Sequence, residues 1–395
     1  MLLPALMVAV FSISVGYGIL LPQLPALIEH LLAADSTPAK VSSATGLLTA
    51  LYMIALFIFA PLWGRLSDHW GRRPVLLIGL TGFGVTMIAF AFLESLSAVY
   101  AERAFSGLFA AAVTPVALAT ITDFTATKAQ LGRRLTFVSL AGISGFLLGP
   151  TLGVGITRGV GEFGGAVGPL AVPLVATGGL ALIAALSIAV TVRPTLVVPL
   201  DRPRAGGAAA PGLVRSLLLL GFVVSAGIGV FEVGLALRGK QELGLTPLQI
   251  ATMFTLCSGV MIVVQALVFS PLVKPEFTRW LIAPAFAVMG VGLFTLPLAM
   301  DFQAMLVVIG AVAASAGILS PILTYWIASH AGHSSGAELG KQTAAASLGA
   351  AVGSAAGGLL YDFAWLPNAA FVLVAAISFL AVLFSLRLPG RLVPP

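Results

Sequence analysis

Long apolar runs separated by short polar breaks fill the chain from one end to the other. Crossing the hydrocarbon core of a bilayer takes about 20 predominantly apolar residues. Twelve such runs can be drawn, at 4–29, 44–63, 75–93, 98–121, 135–157, 169–192, 214–237, 248–270, 279–299, 304–328, 342–361 and 366–388. They are continuous rather than alternating, which predicts helices and not the strands of a barrel. The Gly and Pro residues inside them are tolerated in membrane helices. The first run lacks a preceding basic segment and continues as one of many, so it reads as a span and not as a cleavable leader.

Composition agrees with this pattern. Hydrophobic residues make up 59% of the chain and charged residues 9%, against about 25% charged in an ordinary soluble domain. Too few polar residues remain to cover a soluble globule of this size, so a soluble enzyme, a nucleic-acid-binding domain and a disordered chain are excluded. The basic residues report orientation. Fifteen Lys and Arg fall in one set of breaks and at the C-terminus, and four (Lys40, Arg158, Arg238 and Lys240) in the opposite set. This bias places both termini in the cytoplasm and makes the span number even. It also absorbs the net charge of +6, so no nucleic-acid partner is implied. The expectation is an all-α membrane protein of twelve transmembrane helices in two six-helix bundles.

The longest polar stretch, 193–213, is rich in Pro, Gly and Ala and lies near the middle of the chain. It reads as a flexible cytoplasmic linker between an N-terminal bundle, 1–192, and a C-terminal bundle, 214–395. Weak internal repetition links the two. Gly16-Tyr17-Gly18 is echoed by Gly227-Ile228-Gly229 at an offset of 211, and Pro115, Gly132 and Gly149 by Pro321, Gly340 and Gly357 at offsets of 206 to 208. Two like-oriented halves suggest a site at their interface, opened alternately to either side.

Between the second and third spans stands Gly64-Arg65-Leu66-Ser67-Asp68-His69-Trp70-Gly71-Arg72-Arg73-Pro74. Gly64 and Gly71 permit tight turning and close helix approach. Asp68, costly at a membrane boundary unless paired, has Arg72 and Arg73 within reach. The stretch resembles the signature loop of the major facilitator superfamily, departing from it at His69. For this loop the resemblance implies gating: Asp68 and Arg72, together with Asp123 at the end of span four, would form a cytoplasmic charge cluster that rearranges during alternating access. Gly64, Gly71 and Arg73 complete that candidate gate.

Two further stretches carry the resemblance. Arg103, with Gly107 and Pro115 in span four, looks like the segment that carries a membrane-embedded arginine in proton-driven exporters. A charge inside a span is costly and rare, which makes it a functional candidate. Its neighbour Glu102 points about 100° away around a helix, so the two need not pair. In span five, Gly145, Gly149 and Gly153 recur every four residues and share one flank, which lets another helix approach; Pro150 predicts a kink. This stretch is similar to the Gly-Pro signature of antiporters in the superfamily and implies export by exchange. Glu232, in the apolar run of span seven, is the first candidate for a coupling carboxylate, because an arriving cation would favour release of its proton. Glu102 and Glu29 are the runners-up, and Arg103 would modulate the site.

Tyr17, Gln23, Tyr52, Phe231, Phe254, Gln265 and Tyr325 fall in or near spans one, two, seven, eight and ten and are candidates to line a substrate cavity. A cavity with few charges and many rings suits an apolar or amphipathic small molecule. No phosphate-cradling glycine loop, nucleophile elbow or metal-ligand constellation appears, so neither enzymatic activity nor a metal or cofactor is expected. His330 and His333 have ligand-like spacing but lack a carboxylate or Cys partner. The lone Cys257 excludes an intrachain disulfide. The expectation is a monomeric drug/proton antiporter of a bacterial inner membrane, similar to the tetracycline-efflux group, whose partners are substrate, protons and lipid. A dedicated exporter of a metabolite, siderophore or lipid, or a passive uniporter, remains open on the same fold.

Overall fold

The computed structural model describes residues 2–32, 35–123, 128–160, 171–192, 211–268, 277–330, 335–362, 366, 368–390 and 392. No strand occurs among them. The helices are α1 (Leu2–Leu20), α2 (Leu24–Leu32), α3 (Pro38–Trp70), α4 (Arg72–Phe90), α5 (Leu96–Asp123), α6 (Lys128–Val160), α7 (Ala171–Thr191), α8 (Pro211–Leu237), α9 (Pro247–Val268), α10 (Thr278–Thr295), α11 (Phe302–His330), α12 (Ser335–Leu359) and α13 (Ala369–Ser385). One 3₁₀ turn at Leu21–Gln23 divides α1 from α2. Pro22 and Pro25 fall at this break, where each removes a backbone donor. Together the two helices form the first apolar span.

Among the described residues, ten helical stretches are long and apolar enough to cross a membrane, and α13 is a shorter apolar helix. The α12 helix occupies the eleventh predicted run, but its Ala-, Gly- and Ser-rich sequence is too weakly apolar to join that count. The predicted linker lies outside the described residues except for its last three, which begin α8.

Helix pairing repeats along the chain. The α1 helix packs most extensively on α6, as α8 does on α12; α4 lies between α5 and α7, as α10 does between α11 and α13. The residues fall into two compact units. One comprises residues 1–37, 51–200 and 245–255, the other 38–50, 201–244 and 256–395. Within the first, the glycine flank of α6 receives α1: a Cβ on Gly145 would stand 2.6 Å from the Phe11 carbonyl oxygen, and one on Gly149 2.9 Å from Gly18 Cα. Within the second, Gly349 and Gly353 of α12 press against the backbone of α8 at Phe222 and Ala226. Side chains larger than hydrogen would push these helices apart.

Candidate functional site

The signature stretch is not a loop. Gly64 to Trp70 complete α3, Arg72 to Pro74 begin α4, and the whole connection is Gly71. Its φ of 89° lies where side chains are strained, so the turn needs glycine. Gly64 neither turns nor admits a neighbour: a Cβ there would meet nothing within 4 Å. The tight turn folds Arg72 back onto the end of α3. Its Nη1 donates to Asp68 Oδ1 and Ser67 Oγ, both at 2.6 Å, and its Nε donates to Asp123 Oδ2 at 2.8 Å. One guanidinium thus ties the ends of α3 and α5 to the start of α4, using its fork of donors. Arg73 Nη2 donates to the Ala189 carbonyl at 2.6 Å, near the end of α7, where helix carbonyls lack intrahelical donors.

Deeper in the same unit, Arg103 and Glu102 are paired, although their angular separation does not require it. Arg103 Nε donates to Glu102 Oε2 at 2.7 Å, and Nη2 stands 2.7 Å from the same oxygen without aligning as a donor. The two side chains are 3% and 4% exposed. With no water to turn to, each bends along its own stem toward the nearest opposite charge. The carboxylate remains half-satisfied: Oε1 is buried without an aligned donor, and the nearby Ser106 hydroxyl, which interacts with the carboxylate, is directed to the Arg103 carbonyl at 3.3 Å.

Rings surround the guanidinium. Arg103 Cζ lies 5.0 Å from the centre of the Phe90 ring and 5.5 Å from that of Tyr52, within cation–π range. Gly107 lets α3 approach α5 here, since a Cβ would fall 2.8 Å from the Tyr52 carbonyl oxygen. The Trp63 indole donates to the Leu108 carbonyl at 2.8 Å and fixes the same seam. From Tyr52 the stack continues: Tyr17 lies parallel at 5.4 Å, Phe146 stacks on Tyr17 at 5.6 Å, and Phe254 meets Phe146 edge-on at 6.5 Å. Tyr52 and Phe254 are buried, whereas Tyr17 and Phe146 are half-buried. Phe146 was absent from the sequence candidates. Its only signal was its place among the packing glycines of span five.

The other candidates lie elsewhere. Glu232 is half-buried on α8 and within electrostatic reach of Cys257 on α9. Glu29 is exposed, on α2. Phe231 is fully buried in α8, and the exposed Tyr325 meets Trp326 edge-on at 5.3 Å; neither joins the stack. Gln23 and Gln265 are half-buried, in the turn after α1 and in α9. No group of three or more His, Cys, Asp or Glu among the described residues could hold a metal. His333 lies outside those residues, as does the side chain of His330.

Sequence reading also missed Arg238. The basic pattern places it in a break between spans, yet α8 continues through a π-helical turn, Arg238–Glu242, and Arg238 is buried there. Its Nη2 donates to the Ala299 carbonyl at 2.7 Å and its Nη1 to Glu242 Oε2. Tyr361 donates to Glu242 Oε1 at 2.6 Å. Ser42, at the start of α3, donates to Asp362 beside it.

Long apolar helices, a repeated pairing scheme and ion pairs embedded among them define a polytopic membrane transporter. A family model described as Major Facilitator Superfamily matches residues 6–340 and 217–395, and the chain belongs to that superfamily. Multidrug resistance protein 2 of Bacillus subtilis (strain 168) is 26% identical over 364 residues, 89% of this chain and 87% of that protein. Tetracycline resistance protein, class B, of Escherichia coli is 32% identical over 158 residues, 40% of this chain and 35% of that one. The crystal structure of the human organic anion transporter MFSD10 (TETRAN) superposes with a TM-score of 0.74 at 18% identity, covering 97% of this chain and 98% of that one. The D-xylose–proton symporter structure does so with a TM-score of 0.73 at 16% identity, covering 98% and 97%.

Proposed function

We propose that this transporter exports small hydrophobic or amphipathic compounds, cationic ones among them, in exchange for protons. It would act as a monomer in a bacterial inner membrane, by alternating access between residues 1–192 and 214–395. The observation that carries the proton reading is the buried Glu102–Arg103 pair with one carboxylate oxygen unpartnered. A carboxylate that must stay charged is normally hydrogen-bonded at both oxygens; a half-satisfied one has a place for a proton. Glu232, half-exposed on α8, serves in this reading as the carboxylate that meets the cation. The Arg72 cluster gates the cytoplasmic end. The names of the Bacillus relative and of the tetracycline resistance proteins support efflux of drugs.

The test is simultaneous recording of substrate and proton movement in proteoliposomes under an imposed pH gradient, with ethidium, tetracycline and a siderophore as cargo. Protons moving against cargo, and lost in Glu102→Gln, is the expected result. Cargo accumulation that ignores the pH gradient would leave a uniporter on this fold. Coupling to the siderophore alone would leave a dedicated exporter.

A further inference from the structure

Tyr52 stands between two things the transporter must connect. On one side are the stacked rings of Tyr17 and Phe146, both half-buried. On the other is the buried Arg103–Glu102 pair. Its own ring is 4% exposed, stacked within 18° of parallel on Tyr17, and carries the Arg103 guanidinium 5.5 Å from its centre. Gly107 and Trp63 seat this part of helix α3 against α5.

We propose that Tyr52 is the positioning residue that makes proton release at Glu102 depend on a ligand at Tyr17. The proposal rests on the proton-exchange reading above. Arg103 has three buried neighbours that answer its charge: the Glu102 carboxylate and the faces of Tyr52 and Phe90. When Glu102 holds a proton, only the two rings remain. An organic cation seated on Tyr17 draws on the same stacked π-system and opposes Arg103 across it. The guanidinium then needs the charged carboxylate, and Glu102 loses its proton to bulk water when alternating access opens the site to one side. When the cation leaves, the rings again suffice and a proton can return. Phe90, on the opposite helix, holds Arg103 whether or not ligand is present, because no described ring stacks behind it.

The decisive quantity is protons moved per ethidium, recorded in one proteoliposome preparation, because a loss of packing alone lowers both fluxes and leaves their ratio. Tyr52→Leu should reduce that ratio by about tenfold, the factor that one coupling interaction of ordinary strength supplies. Tyr52→Phe, which keeps the ring, should restore it to the wild-type value. Tyr17→Leu, on a different helix, should lower the ratio in the same way and stands in if Tyr52→Leu no longer binds ethidium in detergent. A wild-type ratio in either leucine variant, or a ratio in Tyr52→Phe as low as in Tyr52→Leu, overturns the assignment. Absence of ethidium-linked proton movement in the unmodified protein overturns the exchange reading itself, and this inference with it.

Discussion

Two buried arginines, one in each compact unit, solve the same problem differently. Arg103 and Arg238 both lie almost wholly out of solvent, and both pair with a carboxylate on their own helix. Around Arg238 the carboxylate is answered at both oxygens, although Arg238 Nε itself is buried without a partner. The guanidinium donates to Ala299 and to Glu242, and Glu242 accepts a second hydrogen bond from Tyr361. The Glu242 side chain is also 37% exposed, so its charge keeps a share of solvent. Around Arg103 the surroundings are rings, the Glu102 side chain is 4% exposed, and one of its oxygens is unanswered. A carboxylate held at both oxygens and partly solvated keeps one charge state; one held at a single oxygen in a buried site can be tipped by a single proton. The Arg238 cluster is therefore a staple, and the Arg103 pair is a switch.

Neutralising each acid in turn gives the largest expected contrast. Glu102→Gln leaves Arg103 buried without its counter-charge, at a cost of about 3–5 kcal/mol, and removes the group that would carry the proton. Cargo-linked proton movement should fall to background. Glu242→Gln keeps an amide oxygen for Tyr361 and should cost about 1–3 kcal/mol, with proton movement retained. Thermal unfolding in detergent and proton flux in proteoliposomes measure both. Loss of proton movement in Glu242→Gln, with the protein folded, would erase the distinction between staple and switch.

Inserting one methyl group into each unit tests the same contrast at a smaller scale. A Cβ on Gly107 would strike the α3 backbone at Tyr52, and one on Gly358 would fall 2.6 Å from Gly46 Cα, where the start of α3 lies on α12. Overpacking of this kind costs about 1–3 kcal/mol, so both alanine variants should unfold at lower temperature. Only Gly107→Ala should also lower the number of protons moved per ethidium, because only that seam positions Tyr52 over Arg103. An equal effect on the ratio from Gly358→Ala would mean that helix spacing in general, and not this ring, controls coupling.

The apolar runs made the helices legible, since nothing but a span needs so many apolar residues in succession. The contact of Arg72 with Asp68 was legible for a similar reason: a four-residue spacing places the two one helical turn apart. The pairing of Arg103 with Glu102 was not, because adjacent residues diverge on a helical wheel and the wheel leaves out how far long side chains bend when deprived of water. Arg238 was misplaced because hydropathy ends a helix at its first cation, whereas the backbone ran on for another turn. The ring stack was hidden for a third reason. Its members come from α1, α3, α6 and α9, and with 24 phenylalanines in the chain nothing local marks Phe146 from the rest.

The smallest expected effect separates ring from hydroxyl. Each cluster contains one buried tyrosine, but they act through different atoms. Tyr361 reaches Glu242 through its hydroxyl, at 2.6 Å; Tyr52 meets Tyr17 and Arg103 through the faces of its ring. Removing the hydroxyl alone should therefore matter in one place and not in the other. Tyr361→Phe deletes a hydrogen bond to a carboxylate and should lower stability by about 1–2 kcal/mol, with no change in protons moved per ethidium. Tyr52→Phe should leave both quantities at their wild-type values. If Tyr52→Phe destabilised the protein as much as Tyr361→Phe, its hydroxyl would be a structural anchor like the one on Tyr361. The switch would then depend on a hydrogen bond as well as on the ring.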